Sequence, residues 1–289
     1  MSKVLVVGNT TFDILHSLDH YPREDEELRA REQHLQRGGN AANTACVLAQ
    51  HGHRVSFAGT LADDVYAQAI RDDLAHYGID TQYCQLIAGA ASPLSCITLN
   101  QQTGSRTIVH YRDLPEYEAT RFASIPLTEY DWFHFEGRNL EQTRQMLEAL
   151  HQVRVDQPIS IEIEKPRPGI EQLFGYADVL LFSRVYAMAH ACDSATELFA
   201  RVRKQTDQPI LVCSWGERGA FASPANEVLL EVEAEPVRSI IDSVGAGDTF
   251  NAGIIHALLS GQTLQSALEY ANRLAAKKLG QFGFNNLAV

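Results

Sequence analysis

Residues 242–250 read DSVGAGDTF and lead into a stretch of helical periodicity, Thr249–Ser260. Gly245 and Gly247 let the backbone turn tightly and point successive N–H groups outward. At a helix N-terminus, these donors and the helix dipole form an anion site. Asp248 would lie in the first helical turn, where a carboxylate can act as a base on a hydroxyl beside a phosphoryl group. The pattern equally suits an ordinary helix start with Asp248 as a cap residue.

Outward from this stretch, short apolar runs alternate with helical stretches. The predicted strands are Val4–Val7, Val55–Ala58, Trp132–Phe135, Ile159–Ile163, Val179–Phe182 and Ile210–Cys213. The predicted helices are Asn40–Gln50, Tyr66–Tyr77, Leu140–His151, Ser194–Lys204, Thr249–Ser260 and Leu264–Leu279, the last with Thr263 as its N-cap. Strands that alternate with helices predict an α/β fold, with a mostly parallel sheet covered by helices on both faces.

Two segments break this alternation, because residues 12–35 and 93–111 carry strand-like patterns without a helix between them. We expect them to pair into a small antiparallel sheet inserted in the α/β body. The acidic quartet Glu24–Glu27 lies in the first segment, and a solvated turn is its simplest interpretation. The chain has no internal repeat or low-complexity linker, which favours one domain.

Composition narrows the classes of partner. The chain has 289 residues, with 24 Lys and Arg against 36 Asp and Glu, a net charge of −12. So acidic a protein is not expected to bind nucleic acid or a membrane surface. The first apolar run is too short for a signal peptide or a membrane helix. Five scattered cysteines with no CxxC pair predict reduced thiols in a cytoplasmic protein.

A second glycine-rich motif, QRGGNAAN, spans residues 36–43. Its glycine pair feeds a predicted helix and would let a ligand approach the backbone closely. Asn40 and Asn43 lie three residues apart, on one face of the first turn. Two amides there suit a ligand rich in hydroxyl groups, because each amide offers both donors and an acceptor. Alternatively, Asn40 is simply the N-cap of the helix.

Two weaker patterns remain. The turn Gly216–Gly219 follows a predicted strand and either borders a nucleotide or is a bare turn. Glu162 and Glu164 point to one face of their strand, where paired acids serve a metal or acid–base chemistry, unless they pair with Lys165 and Arg167. The sequence has no GxxxxGK[ST], no complete GxGxxG, no HExxH and no GxSxG, so those phosphate-loop, dinucleotide, zinc-protease and hydrolase motifs are absent.

With Gly-Gly-Asn near its start and Gly-Ala-Gly-Asp near its end, the chain resembles the ribokinase-like (PfkB) family of sugar kinases. The stretches that carry the resemblance are Tyr21-Pro22, Gln36–Ala41, Arg106–Val109, Glu136–Asn139, Glu164–Arg167, Leu173–Tyr176, Gly245–Ala252 and Lys277-Lys278. Within the family, Glu-Gly-Arg-Asn and Glu-Lys-Pro-Arg point to the branch that phosphorylates a ketohexose, fructose above all, at its 1-hydroxyl.

The resemblance implies a single Rossmann-like kinase domain over residues 1–289, with a β-clasp lid formed by insertions at about 12–37 and 92–112. It implies ATP and Mg²⁺ as cofactors, leaves a K⁺ requirement open, and implies a homodimer that forms through the clasp.

The resemblance also implies a role for each matching residue. Asp248 matches the catalytic base, and Gly245, Ala246 and Gly247 match the anion hole for the transferred phosphoryl group. The matches to sugar contacts are Asp13, Gly39, Asn40 and Asn43, with Asp25 reaching the partner subunit's sugar. The matches to ATP contacts are Arg106, Gly216, Glu217, Arg218 and Gly219, with Asn272 in the helix beside the adenine pocket.

One family motif is missing. Many members carry Asn-x-x-Glu around the metal and phosphates, where this chain has Ser183-Arg184-Val185-Tyr186. The metal ligands stay open, with Glu136, Glu164 or water as substitutes. Two other functions also stay open: a kinase of another sugar, a polyol or a nucleoside, and a non-catalytic sugar- or nucleotide-binding regulator. The intact base and anion-hole glycines favour an enzyme over the regulator.

Overall fold

The computed structural model describes residues 1–154, 156–207, 209–225 and 229–288. Among these residues, eight strands form a central sheet. In spatial order its strands are Leu230–Val232 (β14), Ala220–Ser223 (β13), Ile210–Ser214 (β12), Val179–Ser183 (β11), Ile159–Ile163 (β10), Trp132–Glu136 (β9), Lys3–Val7 (β1) and Arg54–Ala58 (β4). Neighbours from β12 to β4 are parallel, and β13 and β14 add an antiparallel edge.

Helices cover both faces of this sheet, as predicted. The helices of the described residues are Asn40–Gln50 (α1), Val65–His76 (α2), Ala119–Phe122 (α3), Leu140–Val153 (α4), Arg184–Ala189 (α5), Ala195–Val202 (α6), Ala246–Leu259 (α7) and Leu264–Leu279 (α8). Short 3₁₀ turns occupy Leu127–Glu129, Ile170–Tyr176 and Gly216–Arg218. Side chains alternate across β1: Val4 and Val6 pack in the core with α1, α7 and α8, whereas Leu5 and Val7 pack with α4 and α6.

A second, four-stranded sheet, the clasp, stands at one end of the body. Its spatial order is Glu32–Gly38 (β3), Thr11–Leu18 (β2), Leu94–Asn100 (β7) and Arg106–Tyr111 (β8). The expectation of a fully antiparallel sheet is wrong, because β2 and β7 pair in parallel. Each insertion forms its own antiparallel pair, and the two pairs join through first strands that run in the same direction. A small parallel pair links Thr60–Leu61 (β5) to Gln85–Leu86 (β6).

Most predicted elements agree with the structure within a few residues. α1, α8 and β10 have the predicted bounds, and the Thr263 side chain caps α8 by accepting from the Ser266 N–H. α7 begins at Ala246, three residues earlier than predicted, and Gly245, with a left-handed φ of 77°, is its N-cap. None of the helices in the described part of the chain combines the length and hydropathy that a transmembrane span requires. All five cysteines are free.

Candidate active site

A cavity of about 500 Å³ opens between the inner face of the clasp and the carboxyl ends of the central strands. Ligands of open parallel sheets bind at this edge. Eight of the residues predicted to form the site line the cavity: Asp13, Gly39, Asn40, Asn43, Arg106, Gly245, Gly247 and Asp248. On the clasp side, Asp13, Ser95 and His110 form one row across neighbouring strands. The structure therefore brings together residues from both ends of the sequence.

Asp248 is buried in the first turn of α7, and its Oδ2 accepts a hydrogen bond of 2.6 Å from Asn43 Nδ2. Burial raises the pKa of this carboxyl to about 7. The hydrogen bond from Asn43 opposes the rise in pKa, whereas the nearby Glu164 and Glu136 carboxylates add to it. A group with a pKa near neutrality can both accept and release a proton, as a general base must.

The loop before α7 presents backbone donors to the cavity. Residues 245–248 provide the first amides of the helix, which have no acceptor within the helix itself. A side chain at Gly245 would clash with the ring of Phe284, and the positive φ there disfavours other residues. Asp242 anchors the loop, because its Oδ1 accepts from the Val244 N–H at 2.9 Å and its Oδ2 lies 2.7 Å from Lys278 Nζ. These contacts therefore hold the loop, called the anion loop below after its predicted role, with its amide donors at the cavity.

Beside Asp248, the start of α1 and the Asp13 side chain present polar groups suited to hydroxyls. Asp13 is buried, which raises its pKa, and Thr11 Oγ1 donates to its Oδ1 at 2.8 Å. Gly39, with φ of 97°, is the N-cap of α1, so the alternative with Asn40 as the N-cap is wrong. A Cβ at residue 39 would collide with the backbone of Asn9, and only glycine fits there. Asn40 instead donates to Glu164 Oε2 at 3.1 Å.

Three carboxyl groups lie at the ends of β9 and β10. Glu136 accepts from the Asn9 N–H and from Arg138 at 2.9 Å each. Glu162 accepts from Asn251 Nδ2 at 3.0 Å, and its other oxygen is buried without a partner among the described residues. Burial and the neighbouring acid groups raise the pKa of Glu162 well above its usual range. Glu164 pairs with Lys165 at 3.3 Å, which confirms one basic partner, and it also lines the cavity.

These acids suit a magnesium ion in their chemistry, although no group of three or more metal-ligating side chains occurs in the described ranges. Mg²⁺ takes one or two carboxylates and fills its other positions with phosphate and water oxygens. Glu162, one oxygen of which has no partner among the described residues, and the half-buried Glu164 both belong to the cavity wall and offer carboxylate oxygens. The donor set therefore fits the ion.

The residues predicted to contact ATP fall in separate places. Arg106, on β8, donates to Ser243 Oγ at 2.8 Å and so connects the clasp to the anion loop. The turn Gly216–Gly219 is outside the set of described residues that line the main cavity. Asn272 is buried in α8 and donates to the Glu233 carbonyl at 2.5 Å. Next to it, α8 and residues 235–239 line a second cavity of about 460 Å³.

Besides the turn Gly216–Gly219 and Asn272, two more predicted site residues, Ala246 and Asp25, do not line the main cavity. Ala246 lies between the two glycines that do. Asp25 is exposed in the turn at the tip of the first insertion, with a left-handed φ of 61°. Among the basic side chains that line the cavity, three were given no role by the sequence patterns: His110, Arg112 and Arg138. Arg138 stands inside the Glu-Gly-Arg-Asn stretch that carried part of the resemblance, which was the one signal for it.

Comparison with known proteins agrees with this architecture. The profile of the pfkB family carbohydrate kinases matches residues 1–288. A ketohexokinase from Mus musculus is 37% identical to this chain, over 99% of this chain and 98% of the mouse protein. The crystal structure of a putative ribokinase from Agrobacterium tumefaciens superposes with a TM-score of 0.85 at 22% identity, covering 99% of this chain and 94% of that one. The structure of Arabidopsis thaliana ribokinase complexed with ribose and ATP has a TM-score of 0.79 at 18% identity, with 98% and 94% covered.

Proposed function

Since the chain belongs to the pfkB family of carbohydrate kinases, and is a phosphotransferase that acts on a sugar hydroxyl, we propose that it transfers the γ-phosphoryl group of ATP to the 1-hydroxyl of fructose. The observation that carries the proposal is the placement of Asp248, a buried carboxyl with a pKa of about 7, between a helix N-terminus and a polar cavity. The name of the mouse relative supports a ketohexose, and the ligands of the Arabidopsis ribokinase support ATP.

In this proposal Asp248 accepts the proton of the attacking hydroxyl. Asp13, Asn40 and the backbone at Gly39 bind the other hydroxyls and hold the acceptor in line with the phosphoryl group. The amides of residues 245–248 stabilise the charge on the phosphoryl oxygens, and do so without reorganisation because Asp242 already holds the loop. Phosphoryl transfer needs this positioning and charge stabilisation more than covalent help from the protein.

Mg²⁺ bound to the triphosphate would neutralise part of its negative charge. Glu162 and Glu164 are the residues that would hold it. The adenosine part of ATP would extend towards the second cavity, along α8 and near Asn272.

The clasp acts as a lid in this proposal. Its inner face supplies Asp13, Ile97 and His110 to the cavity wall, and Arg106 joins it to the anion loop. A closed lid excludes water, which competes with the sugar as an acceptor of the phosphoryl group.

The outer face of the clasp supports the homodimer. Strand register places Leu35, Ile14, Cys96 and Val109 in one row across the four strands. Leu35 is 59% exposed and Val109 is 69% exposed, an apolar stripe of the kind that a second subunit covers. In such a dimer the exposed tip that carries Asp25 would reach the partner's cavity.

Val109→Glu is expected to convert a dimer into a monomer, because a carboxylate buried in an apolar contact loses its hydration. Sedimentation velocity measures the change. Val153→Glu, the same change at an exposed valine on α4 of the body, is the control and should leave the dimer intact. A monomeric wild type, or a dimer that persists in Val109→Glu, would contradict an interface at this stripe.

The pH dependence of turnover follows from the raised pKa of Asp248. The deprotonated carboxylate is the active form, so kcat/KM should level off above pH 7 and fall about tenfold per pH unit well below it. A pH–rate profile with saturating Mg·ATP measures this fall, the acid limb of the profile. A flat profile down to pH 5 would show that another group accepts the proton.

The substrate is tested by ADP release from Mg·ATP across a panel of fructose, tagatose, ribose, other sugars, polyols and nucleosides, with and without K⁺. The proposal expects the highest kcat/KM with fructose. A higher value with another acceptor would overturn the fructose assignment and leave the kinase class intact. No ADP release with any acceptor, with ATP binding intact, would favour the non-catalytic regulator.

A further inference from the structure

A chain of three short hydrogen bonds runs from the surface of the protein to Asp248. Asn43 Nδ2 donates to Asp248 Oδ2 at 2.6 Å. Arg37 Nη1 donates to Asn43 Oδ1 at 2.5 Å, and Arg37 Nε donates to Asp73 Oδ2 at 2.7 Å. The four residues belong to α7, α1, β3 and α2, so the chain links four elements. Arg37 and Asp73 are not among the described residues that line the cavity.

The middle contact decides which end of the Asn43 amide faces Asp248. The oxygen and nitrogen of an amide are similar in size, and either could point to the carboxylate. Arg37 has only hydrogen-bond donors, so the atom of the Asn43 amide that faces it must be the oxygen. The nitrogen of the amide must then face Asp248 and donate to it. In the reversed arrangement, two oxygens would face each other at Asp248 and two sets of donors would face each other at Arg37.

Arg37 itself is held firmly. It is 4% exposed, and its guanidinium lies 5.4 Å from the centroid of Phe284, the ring that also packs against Gly245. Its carboxylate partner is Asp73, whose side chain is 37% exposed and so reaches the surface. A buried cation depends strongly on its counter-charge and on its hydrogen-bond partners. Asp73 therefore orients Arg37, as Arg37 orients Asn43.

We propose that Arg37 and Asp73 are positioning residues for the phosphoryl-transfer reaction, which fix the amide of Asn43 so that it aims the Asp248 carboxylate at the acceptor hydroxyl. This inference rests on the proposed role of Asp248 as the base. By this proposal, a residue of helix α2, outside the cavity, contributes to the geometry of the active site.

The ionisable groups around Arg37 and Asp248 affect the expected pH profile. The groups that face Arg37 are Asp13 on β2, Cys46 on α1, Asp73 and Tyr77 on α2, and Asp248 on α7. Burial raises the pKa values of Cys46 and Tyr77 to about 12, so both stay neutral near pH 7. The ionisable groups that act on Asp248 from other elements are Glu136 on β9, Glu162 on β10, Glu164 just after β10 and Lys278 on α8. Arg37 lowers the pKa of Asp248, and its removal should raise it.

The decisive test compares Asp73→Asn with Asp72→Asn, its exposed neighbour on α2, whose carboxylate accepts from Gln68. Asp73→Asn should lower kcat about threefold to tenfold, with the acceptor KM within about twofold, because the geometry of the base changes and the sugar contacts do not. Asp72→Asn should behave as the wild type. Equal kcat in Asp73→Asn and wild type at every pH would overturn the proposal.

Substitution of Arg37 should have a larger effect. Arg37→Met should lower kcat about 10- to 100-fold and move the acid limb of the profile to higher pH. Arg37→Lys keeps a donor-only cation and should recover part of kcat. A loss in Arg37→Met confined to KM, or an unshifted limb, would overturn the proposal. Where thermal unfolding shows that Arg37→Met does not fold, the Asp73 comparison decides. If Asp248→Asn keeps its turnover, Asp248 is not the base, and the proposed function fails. If Asp248→Asn is inactive while the Arg37 and Asp73 variants turn over normally, only the positioning role fails.

Discussion

Asp248→Asn is expected to lower kcat by a factor of about 10² to 10⁴, the usual contribution of a general base. The amide keeps the size of the side chain and can still accept the hydrogen bond from Asn43, so the site should keep its shape. It cannot take the proton of the sugar hydroxyl. Steady-state kinetics measure the loss, and calorimetry should find ATP and fructose binding as in the wild type.

Asp72→Asn, on the exposed surface of α2, is the matched control for the change from acid to amide. It should leave both kcat and binding unchanged. If Asp248→Asn keeps its full kcat, Asp248 is not the base. If it loses sugar binding as well as turnover, the carboxylate serves mainly to bind the acceptor.

Lys278→Met is expected to lower the free energy of unfolding by about 3–5 kcal/mol. Lys278 and Asp242 form an ion pair of 2.7 Å in which neither side chain is exposed to solvent. Methionine fills the space but leaves the Asp242 carboxylate buried without its cation. Urea unfolding measures the loss. Because Asp242 also holds the Val244 N–H, the anion loop should loosen and kcat should fall in the folded variant.

Lys277→Met is the control on the same helix. Lys277 is exposed, and its ammonium donates to the carbonyls of Leu287 and Ala288, at 3.4 and 3.1 Å. Its loss should change the unfolding free energy by about 0.5 kcal/mol or less. The double variant Asp242→Asn/Lys278→Met should recover part of the stability, because no charge stays buried alone. Equal stability of Lys278→Met and Lys277→Met would refute the importance of the pair.

The elements of the body were predictable because their signals are local. Buried parallel strands read as continuous apolar runs, and β10 and α8 came out with their observed bounds. The direction in which β7 pairs with β2 was mispredicted. That direction depends on how two insertions, far apart in the chain, leave the body, and strand periodicity carries no information on this.

In the candidate site, too, features with a local sequence signal were predictable and contacts between distant residues were not. Gly245, Asp248 and Asn43 belong to short motifs whose chemistry is legible in a few residues, and the structure places all three at one cavity. The Arg37–Asp73 pair joins residues 36 apart in the chain, and so does the Asp242–Lys278 pair. Such pairs leave no periodic pattern, so only the fold reveals them. The turn Gly216–Gly219 shows the opposite case, a plausible motif that the fold places outside the main cavity.

We propose transfer of the γ-phosphoryl group of ATP to the 1-hydroxyl of fructose in the Asp248 site. Its most direct test is NMR of the product that the wild-type protein forms from Mg·ATP and fructose labelled with ¹³C at C1. We expect ³¹P–¹³C coupling at the labelled carbon, and no such product from Asp248→Asn. Phosphate on another carbon, or hydrolysis of ATP to free phosphate with the fructose unchanged, would contradict the account.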